Sequence, residues 1–133
     1  MPWRRGQGER LIIQIGDEPP HPSQVGVYYD AVGKAATDGI QVFGLAASGA
    51  EAQLEFLMRQ GAVATGGRYI FLTDDSGVGN AHGEPTVSCY RVTSLTNLMG
   101  RVLASELSGR RIEAQDSAIQ RRVGSYDEGV CRN

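Results

Sequence analysis

Hydrophobic and polar positions alternate along the chain in two distinct rhythms. Leu11 to Ile15 is a short apolar run interrupted only by Gln14, which predicts a buried strand. Pro19, Pro20 and Pro22 then bar regular structure, and Ser23 is placed to cap a helix. From there Val25, Tyr28, Tyr29, Val32 and Ala36 recur at helical spacing, and Gly39 stands where a helix end prefers glycine. Ile40 to Ala46 is apolar on both faces and predicts a second strand. A second helix opens in Ser48-Gly49-Ala50-Glu51-Ala52-Gln53, puts Ala50, Leu54, Leu57 and Met58 on one stripe, and stops at Gly66-Gly67. Arg68 to Leu72 is β-branched and aromatic, a third strand. A long polar loop follows. Ser94 caps a third helix carrying Leu95, Leu98, Met99, Val102 and Leu103, and Gly109 ends it. Beyond Arg111 the chain is polar, and little structure is expected there.

Strand and helix therefore alternate three times. Strands apolar on both faces, joined by amphipathic helices, predict an α/β fold with a mainly parallel sheet and helices on both faces, a three-layer arrangement. In open sheets of this kind ligands gather beyond the carboxyl ends of the strands. Three stretches fall there: Asp17 to His21, Ala47 to Gly49, and Thr73 to Glu84. Three strands make a thin sheet, and the exposed side of the first is a template for self-association.

Composition narrows the function classes. The chain has 133 residues, room for one small domain, with 41% hydrophobic and 21% charged residues. A net charge of −2 gives no electrostatic case for nucleic acid or an anionic membrane. No apolar run reaches the roughly 18 residues of a membrane span, and no signal-peptide pattern is visible, so the expected location is cytoplasmic. Cys89 and Cys131 are too far apart for a C-x-x-C motif. Two reduced thiols are the expectation, and pairing would require an exported chain.

Candidate chemistry centres on acids. An apolar strand running into Asp17-Glu18 has the shape of a Walker B segment, but Gly33-Lys34 is followed by Ala35 and no phosphate loop exists. Gly77-Val78-Gly79 lacks the rest of a dinucleotide fingerprint. Cys89 with His21 or His82 has the residue types of a thiol–imidazole pair without any supporting motif. Asp17, His21, Asp74, Asp75, His82 and Glu84 could supply metal ligands, the carboxylates suiting magnesium or manganese. Asp74-Asp75-Ser76-Gly77, taken alone, reads rather as a solvated turn whose Asp side chains cap the local backbone.

In order along the chain, "LIIQIGDEPPH", "GIQVFGLAASG", "EFLMRQGAVATGGRYIFLTDDSGVGNAHGEP" and "RVLASELSGRR" resemble segments of a bacterial subgroup of von Willebrand factor type A domains. The resemblance covers about residues 8 to 112 and only the C-terminal half of such a domain. It implies a Rossmann-like fold truncated at the N-terminus: a linker remnant over 1–9, a partial domain over 10–112, and a polar tail over 113–133. It also implies a protein-binding module without catalysis. Complete domains of the family hold Mg2+ or Mn2+ in an adhesion site at the strand ends. There Asp17 matches the third-loop aspartate. The first-loop Asp-x-Ser-x-Ser and the second-loop Thr have no counterpart in this sequence, so the resemblance implies an incomplete site that binds no cation tightly. Glu18, His21, Ser48, Asp74, Asp75 and Ser76 are the expected ligand-binding rim, with a protein as partner. A small metal-dependent hydrolase or NTPase-like enzyme using Asp17 and the Asp74/Asp75 loop is the alternative.

Overall fold

The computed structural model describes residues 8–47, 49–78 and 82–132 and divides the chain into two compact units, Met1–Phe71 and Leu72–Asn133. The fold is mixed α/β, with a three-stranded parallel sheet and three α-helices among the described residues. None of the described helices is long and apolar enough to cross a membrane.

The first unit carries strand β1 (Leu11–Gly16), helix α1 (Val25–Thr37), strand β2 (Gln41–Ala46), helix α2 (Ala52–Thr65) and strand β3 (Tyr69–Phe71). The strand order is β1-β2-β3, all parallel, with Ile13 beside Phe43 and Leu45 beside Ile70. β2 is central, which explains why it is the most hydrophobic of the three: every residue from Val42 to Ala46 is buried.

Both helices of this unit lie on one face of the sheet, not on opposite faces. The Tyr28 hydroxyl of α1 reaches Gln14, Ala35 packs with Val42, and Leu54 and Met58 of α2 pack on Ala46. All of these strand residues are even-numbered, and side chains alternate strictly along a strand. Two crossovers that step in the same direction across a sheet leave their helices on the same side.

Packing at the centre depends on a missing side chain. Met58 is fully buried, and a Cβ placed on Gly44 would lie 2.7 Å from the Met58 Cβ. α2 can therefore approach β2 closely only where β2 presents a glycine. The same device recurs between the helices: Gly61 leaves space for the Tyr28 hydroxyl, which donates to the Leu57 carbonyl at 3.0 Å.

Helix ends follow the sequence with two exceptions. α2 starts at Ala52 after Glu51, so Ala50, expected on its stripe, precedes the helix. Gly66 and Gly109 close α2 and the third helix in the left-handed region, at φ 70° and 63°. Ser23 does not cap α1. It lies within a single 3₁₀ turn, Pro22–Gln24, whose own cap is His21, with Ser23 N–H donating to the His21 ring. The proline at the first position of that turn suits its fixed φ and displaces the helix start to Val25.

The second unit contains strand β4 (Tyr90–Val92), helix α3 (Leu95–Ser108) and strand β5 (Arg121–Val123). Ser94 caps α3 as expected, its side chain accepting from Asn97 N–H. Leu103, placed on the buried stripe by spacing alone, is exposed. Two features depart further from expectation. The segment beyond Arg111 is structured: β5 pairs antiparallel with β4, Tyr90 beside Val123 and Val92 beside Arg121. Cys89 and Cys131 are also joined by a disulfide, so they are not the two reduced thiols expected. Separated by 42 positions, they became neighbours only because the β4–β5 pairing returns the tail to the start of β4.

Gly44→Ala should lower stability by about 1–3 kcal/mol through overpacking against Met58. Gly33→Ala, in open space on α1, should instead raise it by up to about 1 kcal/mol through helix propensity. Chemical denaturation of the two variants checks the pair. Cys131→Ser should cost about 4 kcal/mol by the loop-entropy relation, read as an earlier unfolding midpoint that reducing agent reproduces in the parent chain.

Candidate functional site

The end of β1 presents the first group of candidate residues. Gly16 is the last strand residue, its carbonyl accepting from Ala47 N–H, and Asp17 and Glu18 follow in a bend, both exposed. Neither carboxylate enters a hydrogen bond or ion pair among the described residues. Pro19 and Pro20 cannot donate to any ladder, so the chain leaves the sheet here. His21 contributes differently from a ligand: its Nδ1 lies 2.8 Å from Ser23 Oγ and caps the 3₁₀ turn. Ser48, expected on the same rim, lies outside the described residues.

The second group belongs to the other unit and is built around Arg121. Its Nε donates to Asp75 Oδ2 at 2.9 Å, and its Nη2 donates to Glu84 Oε1 at 2.7 Å. The Tyr90 hydroxyl donates to the other oxygen of Glu84. β5 therefore brings a cation to two acids of the 73–84 loop, and β4 adds a phenol. The Tyr90 hydroxyl and then the Arg121 guanidinium hold the Glu84 carboxyl below its ordinary value. Burial and the Glu84 contact raise the Tyr90 hydroxyl, and the two acids raise Arg121.

Asp74 and Ser76 are turned into their own loop. Asp74 Oδ1 accepts from His82 N–H at 2.6 Å, and the His82 Nε2 lies 2.7 Å from the Val78 carbonyl. Ser76 is buried, its hydroxyl donating to Val78 O at 3.1 Å. These side chains satisfy backbone groups that a loop would otherwise expose unpaired, as Asp and Ser do in turns.

Asp17 and the Asp74-Asp75 pair thus belong to different units. Among the described residues no three His, Cys, Asp or Glu side chains converge to hold a metal ion. Hard cations such as Mg2+ demand several oxygen ligands in near-fixed geometry. One exposed carboxylate followed by another in a bend does not fit that demand.

Sequence reading missed the role of Arg121. The Arg121-Arg122 pair in a polar tail reads as a solvated end, and the acids that Arg121 holds lie 37 and 46 residues earlier. It also missed a cleft of about 530 Å3 between α1 and α2, lined by Tyr29, Val32, Phe56, Arg59 and Val63. The exposed Phe56 and Val63 fell off the predicted stripe and gave the only hint.

Comparison with protein-family models, with curated proteins and with solved structures finds no match to the chain.

Glu84 provides a test of the Arg121 cluster. Because its folded pKa lies below the ordinary value near 4.5, its stabilisation is complete above that value and is lost as pH falls through the folded pKa. Melting curves taken from neutral pH downward should fall more steeply below pH 4.5 for the parent than for Glu84→Gln.

Proposed function

We propose that the chain is a non-catalytic protein-binding module of the von Willebrand factor type A kind, corresponding to the C-terminal half of such a domain and recognising its partner at the carboxyl end of β1. The observation that carries this reading is the pair of exposed carboxylates, Asp17 and Glu18, without a partner among the described residues at the end of a parallel strand. Strand ends of parallel sheets are where open α/β folds bind. The strand order supports the same reading, since three parallel strands joined by helices match the succession that the sequence resemblance implies.

Within this reading the metal site is incomplete. Asp17 supplies one corner, and the Asp-x-Ser-x-Ser segment that would supply others is absent from the sequence. Asp17 by itself binds magnesium no better than an ordinary surface carboxylate. The carboxylates of the second unit do not replace the missing corners: Asp75 is committed to Arg121, and Asp74 to the backbone of its own loop. The same commitments weigh against a hydrolase using these acids. The bonded cysteines favour an oxidising compartment over the cytoplasm.

Calorimetric titration of the chain with Mg2+ or Mn2+ should give no binding in the micromolar range. Mixed with a separately made N-terminal type A half that carries Asp-x-Ser-x-Ser, it should acquire such binding, and Asp17→Ala in the mixture should abolish it. A mixture with no gain in affinity, or micromolar affinity of the chain alone, would sink the reading. ATP incubated with the chain and magnesium should be hydrolysed no faster than in buffer.

A further inference from the structure

β1 forms one edge of the sheet and carries an apolar side-chain row that stays exposed among the described residues. Ile13 and Ile15 stand 39% and 66% exposed, on the face opposite α1 and α2. No proline, lysine or bulge interrupts the strand, so it lacks the devices by which edge strands avoid pairing.

The direction of its backbone groups is fixed by bonds to β2. The carbonyls of Arg10 and Gly16 accept from Gln41 and Ala47. In a parallel ladder a residue bonds one neighbour with both its N–H and its C=O, and alternate residues face opposite ways. Even-numbered residues of β1 therefore face β2. Leu11, Ile13 and Ile15 direct their N–H and C=O groups outward, at the free edge.

We infer that this edge pairs with the same edge of a second copy of the chain, antiparallel, about a twofold axis at Gln14. A twofold axis perpendicular to the sheet keeps each face continuous, so only registers pairing residues of like parity are open. Four such registers keep three or more residues of the strands overlapped. With Ile12 opposite its own copy, Ile15, the most exposed residue of the row, would stand opposite Glu9. With Ile13 opposite its own copy, Glu9 would stand opposite Asp17 of the other chain, acid against acid, twice. With Ile15 opposite its own copy, Leu11 would face Pro19, which has no N–H to give. With Gln14 on the axis no such defect falls within the strand: the acids no longer face each other, and Pro19 lies opposite Glu9, outside Leu11–Gly16. Ile13 and Ile15 of opposite copies then exchange both backbone hydrogen bonds and stack their exposed side chains. Ile12 lies over the bare Gly16 of the other copy, and Arg10 stands opposite Glu18 at each end. The charge order of the segment, basic before the strand and acidic after it, is what an antiparallel self-pair requires and what a parallel one would oppose.

The pairing engages Glu18 as well as the edge of β1 and leaves Asp17 as the rim acid of the type A reading, which keeps its own test. Sedimentation equilibrium of the full chain from micromolar to submillimolar concentration should give a particle of twice the chain mass. Hydrogen exchange at the Ile13 and Ile15 amides should slow as the dimer fills. Ile15→Lys, at an exposed position, should give a monomer with the parent's circular dichroism spectrum. Arg10→Glu should weaken the dimer by about two- to thirtyfold for two rim ion pairs, more at low salt. Combining it with Glu18→Arg should restore the parent affinity. A parent chain that stays monomeric, or a dimer that persists in Ile15→Lys, overturns the proposal. A dimer indifferent to both charge reversals overturns its register.

Discussion

The contact between Met58 and Gly44 sets the geometry of the first unit. A helix lies close on a sheet only where the strand below offers no Cβ, and here the central strand offers that gap directly under a fully buried methionine. With α2 seated, Leu54 meets Ala46, and Arg59 sits 4.7 Å above the ring of Tyr69 on β3. Burial, and then the Glu55 carboxylate, push the Tyr69 hydroxyl up to about 12, so it stays neutral across ordinary pH. α1 is fastened to α2 in turn, through Tyr28 entering the space beside Gly61. The hydrogen bond it makes is worth about 1 kcal/mol net, but leaving that half-buried hydroxyl unpaired would cost more.

The second unit is held by a different kind of bond. Its strands are three residues each, too short to be stable as an isolated pair. The disulfide joins the residue before β4 to the tail beyond β5, and Arg121 ties β5 to the 73–84 loop. Exposed ion pairs contribute little singly, whereas a guanidinium shared by two carboxylates holds Asp75 and Glu84 to β5 together. Apolar packing therefore dominates one unit, while covalent and ionic links dominate the other.

These differences bear on function. Acids that looked equivalent along the chain have unequal freedom in the fold. Asp74, Asp75 and Glu84 are occupied with holding a loop, whereas Asp17 and Glu18 have no such task. A carboxylate already satisfied by an arginine is a poor candidate for a ligand, because an incoming group must compete with it. Within the single chain, the pair at the end of β1 bears no such cost among the described residues.

The sequence by itself determined the three apolar strands, the three helices with part of their buried stripes, and the helix-ending glycines. Each is a local property, written in residues three or four apart for a helix and two apart for a strand. It also placed Asp17 beyond a strand end, since an apolar run followed by an acid and two prolines leaves the chain no other course. Tertiary structure alone decided which face the helices share, which strand lies at the edge, and which acids are free. It decided the pairing of Cys89 with Cys131 and the recruitment of the polar tail into β5. Those outcomes depend on contacts between residues from 14 to 46 positions apart. No periodicity extends that far, so only the folded chain could bring Arg121 to Asp75, and Met58 to the gap at Gly44.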